Sequence, residues 1–247
     1  MKVIVIGAVA AGSKAAAKLK RLKPDWEVVI YTADTNVAYS ECGLPYYIGG
    51  AFADINNLVV RTPKAFENSG IAIKLQHKVE KIDSNTKQIL VKNLVTGEEF
   101  TDTYDKLIIS TGARAFVPEA YKTNLKNVFT LRNLEDGFAI KQAILQSKKA
   151  VILGGGYIGI EMLEAFVKQN LQTTLIHSRD NIMSIFDPDM SEAIQKHVIQ
   201  RDLESIRIID NDTIAEIQGD DVVKSVITKN GVKIDTDLVL LSIGVKP

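Results

Sequence analysis

Cysteine occurs once in 247 residues, and histidine three times. A single cysteine excludes an internal disulfide framework. His77, His177 and His197 are far apart in the sequence, and no carboxylate or cysteine spacing resembles a metal site, so no metal is expected. An excess of one charge is also missing. Lys plus Arg and Asp plus Glu both number 30, which leaves no global field to draw the chain to nucleic acid or to an anionic membrane. No apolar run approaches the roughly 18 residues of a membrane span. The start, Met1-Lys2-Val3-Ile4-Val5-Ile6-Gly7-Ala8-Val9-Ala10-Ala11-Gly12, has the outline of a secretory signal. It is better explained as a β-branched strand ending at a glycine turn that opens a helix. The expected compartment is the cytoplasm, where a thiol stays reduced unless catalysis oxidises it.

What is present is a repeat. With 46% apolar residues the chain can bury one large core or two of ordinary size. Strand Lys2 to Ile6, turn Gly7 to Gly12, helix Ser13 to Leu22 and strand Glu27 to Tyr31 form a βαβ unit. The same order returns as strand Ala150 to Leu153, turn Gly154 to Gly159, helix Ile160 to Gln169 and strand Thr173 to His177. Each copy closes with an apolar strand that runs into a small-residue turn, Lys106 to Gly112 in one and Leu238 to Gly244 in the other. Between these parts, Ile71 to Leu75, Gln88 to Val91 and Glu99 to Thr101 alternate like antiparallel strands, and residues 206 to 236 do the same. The expected fold class is α/β, with two Rossmann-like doubly wound units, each carrying an antiparallel β insertion. Residues 1–114 are expected to form one domain and 115–247 the other.

Gly154-Gly155-Gly156-Tyr157-Ile158-Gly159 is a full G-x-G-x-x-G between a strand and a helix. Glycines permit the tight turn and let the backbone approach a pyrophosphate, which the amides at the helix N-terminus stabilise. The second strand ends in His177-Ser178-Arg179 with no acid before Asp180. An imidazole, a hydroxyl and a guanidinium suit the 2′-phosphate of NADPH, whereas a carboxylate there would select NADH. The first turn keeps Gly7 and Gly12 but has Val9 at the middle position, and Thr32 stands where a ribose-binding acid is expected. Ser110-Thr111-Gly112 returns a second small-residue turn to the same sheet edge.

Cys42 lies ten residues past Thr32, in Tyr39-Ser40-Glu41-Cys42-Gly43-Leu44-Pro45-Tyr46-Tyr47. Gly43-Leu44-Pro45 can begin a helix, and a thiolate before it would be stabilised by the helix N-terminus and react with disulfides, persulfides or peroxide. No C-x-x-C is present, so the reacting partner must come from outside the chain.

With two dinucleotide units, one cysteine after the first, and the string Cys-Gly-Leu-Pro-Tyr-Tyr, the whole chain resembles the single-cysteine branch of the FAD-dependent pyridine nucleotide-disulfide oxidoreductases. That branch includes coenzyme A-disulfide reductases, NAD(P)H persulfide reductases and NADH oxidases. The resemblance implies that Gly7, Ala10, Ala11, Gly12, the segment around Thr32, the backbone at Val79, Thr111 and Gly112 hold FAD. It implies that Gly154, Gly156, Tyr157, Ile158, Gly159, Glu161, the His177-Ser178-Arg179 tip and Gly244 hold NADPH or NADH. Cys42 would cycle between a thiolate and a mixed disulfide with coenzyme A, formed from a small substrate such as coenzyme A disulfide. Lys18 and Arg21 on the first helix match basic residues that relatives use for the phosphates of coenzyme A. Ala10, where peroxide- and oxygen-reducing members tend to carry histidine, favours a disulfide or persulfide substrate. The family at full length implies a homodimer.

The chain departs from the family pattern in three ways. Thr32 replaces the usual glutamate at the FAD ribose, and Glu41 places a carboxylate beside Cys42. The sequence also ends at Ile243-Gly244-Val245-Lys246-Pro247, where relatives resume the FAD domain and add a dimerisation domain, so a truncated chain is expected. Two other readings compete with a disulfide reductase. One is an NADH oxidase that reduces oxygen through a Cys42 sulfenic acid. The other is an inactive nucleotide-binding fragment.

Overall fold

A computed structural model describes every residue except Leu203. It divides into two compact units, Met1–Ser40 with Asn56–Gly112 and Pro247, and Glu41–Ile55 with Ala113–Lys246. The segment that carries Cys42 thus packs with the second unit, although it falls within the residues 1–114 expected to form the first domain.

In the first unit, β1 (Lys2–Ile6) and β2 (Glu27–Tyr31) flank α1 (Ala11–Leu22) in sequence and pair in parallel. The departing segment carries α2 (Leu44–Ile48), after which the unit resumes with α3 (Pro63–Glu67) and β3 (Ile71–Lys74). An antiparallel sheet of β4 (His77–Asp83), β5 (Gln88–Asn93) and β6 (Glu99–Thr103) follows, and β7 (Lys106–Ile109) returns beside β1. The parallel sheet has the order β3-β2-β1-β7. Because successive side chains point to opposite faces, Val5, Val28 and Ile30 pack with Ala16 of α1 and Phe66 of α3. Ile4, Ile6, Val29 and Tyr31 pack against Ile89 and Val91 of the antiparallel sheet.

The second unit holds β8 (Arg114–Ala115), β9 (Val128–Phe129), α4 (Leu134–Ile144), β10 (Lys149–Leu153), α5 (Tyr157–Lys168), β11 (Gln172–Ile176) and α6 (Pro188–Arg201). It continues with β12 (Ile206–Ile209), an antiparallel sheet of β13 (Ile214–Gly219), β14 (Val223–Thr228) and β15 (Lys233–Asp235), then β16 (Leu238–Leu241) and β17 (Val245–Lys246). Its parallel sheet runs β12-β11-β10-β16-β9. Two matched α/β units are therefore present, as the repeat implies.

In both halves the sequence reading misassigned the first strand of the antiparallel stretch. Ile71–Lys74 pairs in parallel with β2, and Ile206–Ile209 pairs in parallel with β11. Both are edge strands with one face partly exposed, so they alternate like antiparallel strands even though they belong to the parallel sheets. The strand missed in the first half is His77–Asp83, whose alternation is broken by a bulge between Val79 and Lys81. Helix α5 begins three residues earlier than expected, with Gly156 as its cap and Gly159 inside it.

A polar clamp joins the two sheets of the first unit. Asp102 accepts hydrogen bonds from Lys2 Nζ at 2.5 Å and from the buried Tyr31 hydroxyl at 2.8 Å. Burial alone would raise the Asp102 carboxyl, but the bonds from Lys2, Tyr31 and the Thr103 amide outweigh it and hold the group below the usual carboxylate range. The clamp therefore contributes its full stability above about pH 4 and loses it as the pH falls further. Asp102→Asn should cost about 1–3 kcal/mol at pH 7 and flatten the acid side of the stability profile, as read by urea denaturation across pH.

Candidate functional site

The carboxyl ends of β1, β2 and β7 converge at the first glycine turn. Gly7 has φ +98°, and a side chain on it would overlap the Ser110 carbonyl. A side chain on Gly12 would overlap the Gly7 carbonyl. The Ser110 hydroxyl fastens the turn by donating to Ile6 O at 2.8 Å. Ala10 and Ala11 are exposed at the start of α1, and Thr111 and Gly112 are exposed across the turn. Thr32 is buried at the end of β2, and its carbonyl accepts from the His77 amide at 2.8 Å. The β4 strand holding Val79 thus starts at the Thr32 tip. The structure gathers these residues at one sheet edge. Lys18 and Arg21 are exposed farther along α1, whereas neighbouring Lys20 commits its ammonium to the Pro24 and Trp26 carbonyls.

An acid does stand at this tip. The carboxylate of exposed Asp34 lies 3.3 Å from the Thr32 hydroxyl, two residues beyond the position where the sequence pattern places one.

The second turn repeats the first. Gly154 has φ +116°, a side chain on it would overlap the Ser242 carbonyl, and one on Gly159 would overlap the Gly154 carbonyl. The Ser242 hydroxyl donates to Leu153 O at 3.0 Å, as Ser110 does to Ile6. Gly156 differs, because a Cβ built there meets nothing within 4 Å. It faces a cavity of about 480 Å³ lined by residues 153–158, His177, Ser178, Arg179 and residues 242–245. A glycine whose Cβ would project into an open cradle at the start of a 12-residue helix is what a closely approaching pyrophosphate requires. The second turn fits a dinucleotide, and the first shares its outer-glycine geometry.

The structure also separates residues that the sequence reading grouped. His177 is buried, and its Nε2 lies 2.6 Å from Asp210 Oδ1, while Gln195 donates to both Asp210 oxygens. Its polar ring edge is thus engaged by an internal acid, which leaves Ser178 and Arg179 exposed as the tip's polar groups. Glu161 does not line the cradle. It faces a separate cavity of about 470 Å³ beside α2, with Tyr46, Lys168 and Gln169, and burial raises its carboxyl. Sequence reasoning takes Ser110 only as part of a small-residue turn and misses Ser242, Asp210 and Gln195. The repeated Ser-x-Gly at 110–112 and 242–244 was the legible signal for the two serines, while Asp210 and Gln195 come from distant elements.

Cys42 is exposed in a single 3-10 turn, Glu41–Gly43, ahead of α2. Helix α2 has only five residues, so the expected support from a helix N-terminus is slight. The Glu41 carboxylate is instead turned to Arg132, whose Nη1 lies 2.7 Å away. Among the described residues no three or more His, Cys, Asp or Glu side chains gather as metal ligands.

The model of the pyridine nucleotide-disulphide oxidoreductase family matches residues 1–247. The chain belongs to this family. Family members are FAD-dependent and use NADH or NADPH. A coenzyme A disulfide reductase of Staphylococcus haemolyticus is 35% identical over 249 residues, covering 100% of this chain and 54% of the relative. An NADH oxidase of Enterococcus faecalis is 31% identical, covering 100% and 55%. A solved NAD-dependent persulfide reductase from A. fulgidus superposes with a TM-score of 0.94 at 28% identity, covering 100% of this chain and 46% of that one. The chain spans about half the length of the curated relatives it matches.

The glycines of this oxidoreductase should separate by role. Gly159→Ala should destabilise the fold by about 1–3 kcal/mol through backbone overlap. Gly156→Ala should leave the melting temperature within about 2 °C of the parent and weaken nicotinamide nucleotide binding, NADH or NADPH, at least tenfold, measured by fluorescence titration.

Proposed function

We propose that this protein reduces a small disulfide or persulfide at Cys42 with electrons from NADPH, NADH being the alternative donor, and that coenzyme A disulfide is the substrate. The observation that carries this reading is the pairing of two matched dinucleotide cradles with one exposed cysteine. The first unit would hold FAD through Gly7, Gly12, Thr111 and Gly112, with Asp34 supplying the ribose acceptor that Thr32 lacks. The second would hold the nicotinamide nucleotide through Gly154, Gly156 and Gly159. Bound FAD supplies the exchange between a hydride donor and a thiol-disulfide couple.

The chain's own residues account for the rest. Backbone amides at the starts of α1 and α5 would hold the pyrophosphates of the two dinucleotides. Exposed Arg179, with Ser178, favours a 2′-phosphate, and no exposed acid precedes Asp180 at that tip. Cys42 has no second thiol within the chain, so its disulfide partner is the substrate's own sulfur. Lys18 and Arg21 offer exposed positive charge for a phosphate-bearing thiol. A homodimer in the cytoplasm completes the proposal, and no helix among the described residues is long and apolar enough to cross a membrane.

Visible absorption of the purified protein tests this. A flavin spectrum that bleaches with NADPH under anaerobic conditions and recovers on adding coenzyme A disulfide is the expected result. Cys42→Ser should bleach normally and lose the recovery. Recovery by oxygen alone, with no disulfide added, would transfer the protein to the oxidase class. A colourless protein that cannot be loaded with FAD would make it a nucleotide-binding fragment. Arg179→Glu should lower the NADPH-to-NADH preference at least tenfold, and an unchanged ratio would remove Arg179 from the specificity assignment.

A further inference from the structure

Glu41 is unusual as a neighbour for a sulfur that must act as a nucleophile, because a carboxylate beside a thiolate opposes its negative charge. The structure shows how that charge is answered. Arg132 Nη1 lies 2.7 Å from Glu41 Oε2, and both side chains are about one-third exposed. The guanidinium does not float. Its Nε donates to Ala113 O at 2.7 Å, and the Arg132 amide donates to Asp136 Oδ2 at 2.8 Å. Asp136 lies in the first turn of α4, and its own amide donates to the Asn133 cap at 2.8 Å. The arginine thus sits on a reciprocally capped helix start.

The same helix receives the rest of the cysteine segment. Leu44 packs so closely on Gly137 that a side chain at 137 would press on its Cδ2. Lys141, one helical turn on, donates to Ile48 O at 2.8 Å. Arg132, just ahead of α4, and residues 137 and 141 within it therefore meet residues 41, 44 and 48 in order. Such an arrangement fixes the segment without the arginine's charge, which leaves that charge free to serve another end.

We propose that Arg132 is a positioning and charge-balancing residue for Cys42: it holds the Glu41 carboxylate in an ion pair and so keeps the cysteine reactive despite its acidic neighbour. This rests on the reading of Cys42 as the reacting sulfur. Its logic gives opposite signs to the two partners. Removing the arginine leaves an uncompensated negative charge on the residue next to Cys42, whereas removing the glutamate leaves an uncompensated positive charge held over the same turn.

The test is the rate of Cys42 alkylation by iodoacetamide, a neutral reagent, at pH 7 and low salt. The chain's only thiol reports without ambiguity, and no turnover is needed, so a failure here is separate from a failure of the reductase reading. Arg132→Gln should slow alkylation about three- to tenfold, and Glu41→Gln should accelerate it by a similar factor. The double variant Glu41→Gln/Arg132→Gln should return to within about twofold of the parent. Raising the salt to 0.5 M should recover most of the Arg132→Gln loss, because the exposed carboxylate is then screened. If both single variants shift the rate in the same direction, or the double variant stays slow, the pair is only a structural tie and the proposal is overturned. Should Arg132→Gln fail to fold, Glu41→Gln decides: acceleration that 0.5 M salt abolishes supports the proposal, whereas no acceleration, or one that salt leaves unchanged, overturns it.

Discussion

Both units depend on one steric constraint, the contact between two glycines at the start of a helix. In each, the final glycine of the turn lies so close to the carbonyl of the first that no side chain fits between them. This lets α1 and α5 start flush against the ends of β1 and β10. The first glycine, at positive φ, in turn presses on the carbonyl of a serine at the end of the neighbouring strand, β7 or β16. The serine hydroxyl then spans back to the strand that leads into the turn. Strand, turn, helix and neighbouring strand are locked by backbone contacts and one serine hydroxyl in each unit, so the free amides at the helix start are aimed before any ligand arrives.

The constraint also explains which turn positions can vary. Gly7 and Gly12 are sterically compelled, but the middle position of the first turn is Val9, and α1 still forms with its cap residue Ala10 in a helical conformation. In the second turn the middle position is Gly156, extended at φ −86° and ψ −169°, with open space beyond it. The fold requires the outer glycines, whereas the middle one answers to what binds. A pattern search that weighs all three alike misses the first unit for a reason that has nothing to do with folding.

Much of this was legible in the sequence because it is local. The two strand-glycine-helix runs and the closing strands at 106–109 and 238–241 need only short-range patterning. Legibility failed where partners are distant or alternation is disturbed. The bulge at Val79 and Lys81 hid a whole strand, and the half-exposed edges Ile71–Lys74 and Ile206–Ile209 imitated antiparallel ones. Glu161 lies in the same helix as the glycine turn yet faces another cavity, because a helix turns its residues around the axis and adjacency in sequence does not fix a shared face.

The tip of β11 shows how a distant partner changes the meaning of a local motif. Read as a string, His177-Ser178-Arg179 offers three groups to a phosphate. Folded, the imidazole is buried and paired with Asp210, which lies just past β12 and is itself held by Gln195 of α6. A half-buried acid 2.6 Å from the ring occupies the valence that a ligand would use, and it also ties down the strand end from which the next two residues project. The histidine then braces the strand end, and Ser178 and Arg179 are exposed beyond it. An arginine on a braced strand end loses less freedom on binding than one on a loose loop. On the proposed reading, the His177–Asp210 hydrogen bond and the exposed guanidinium would together favour a 2′-phosphate.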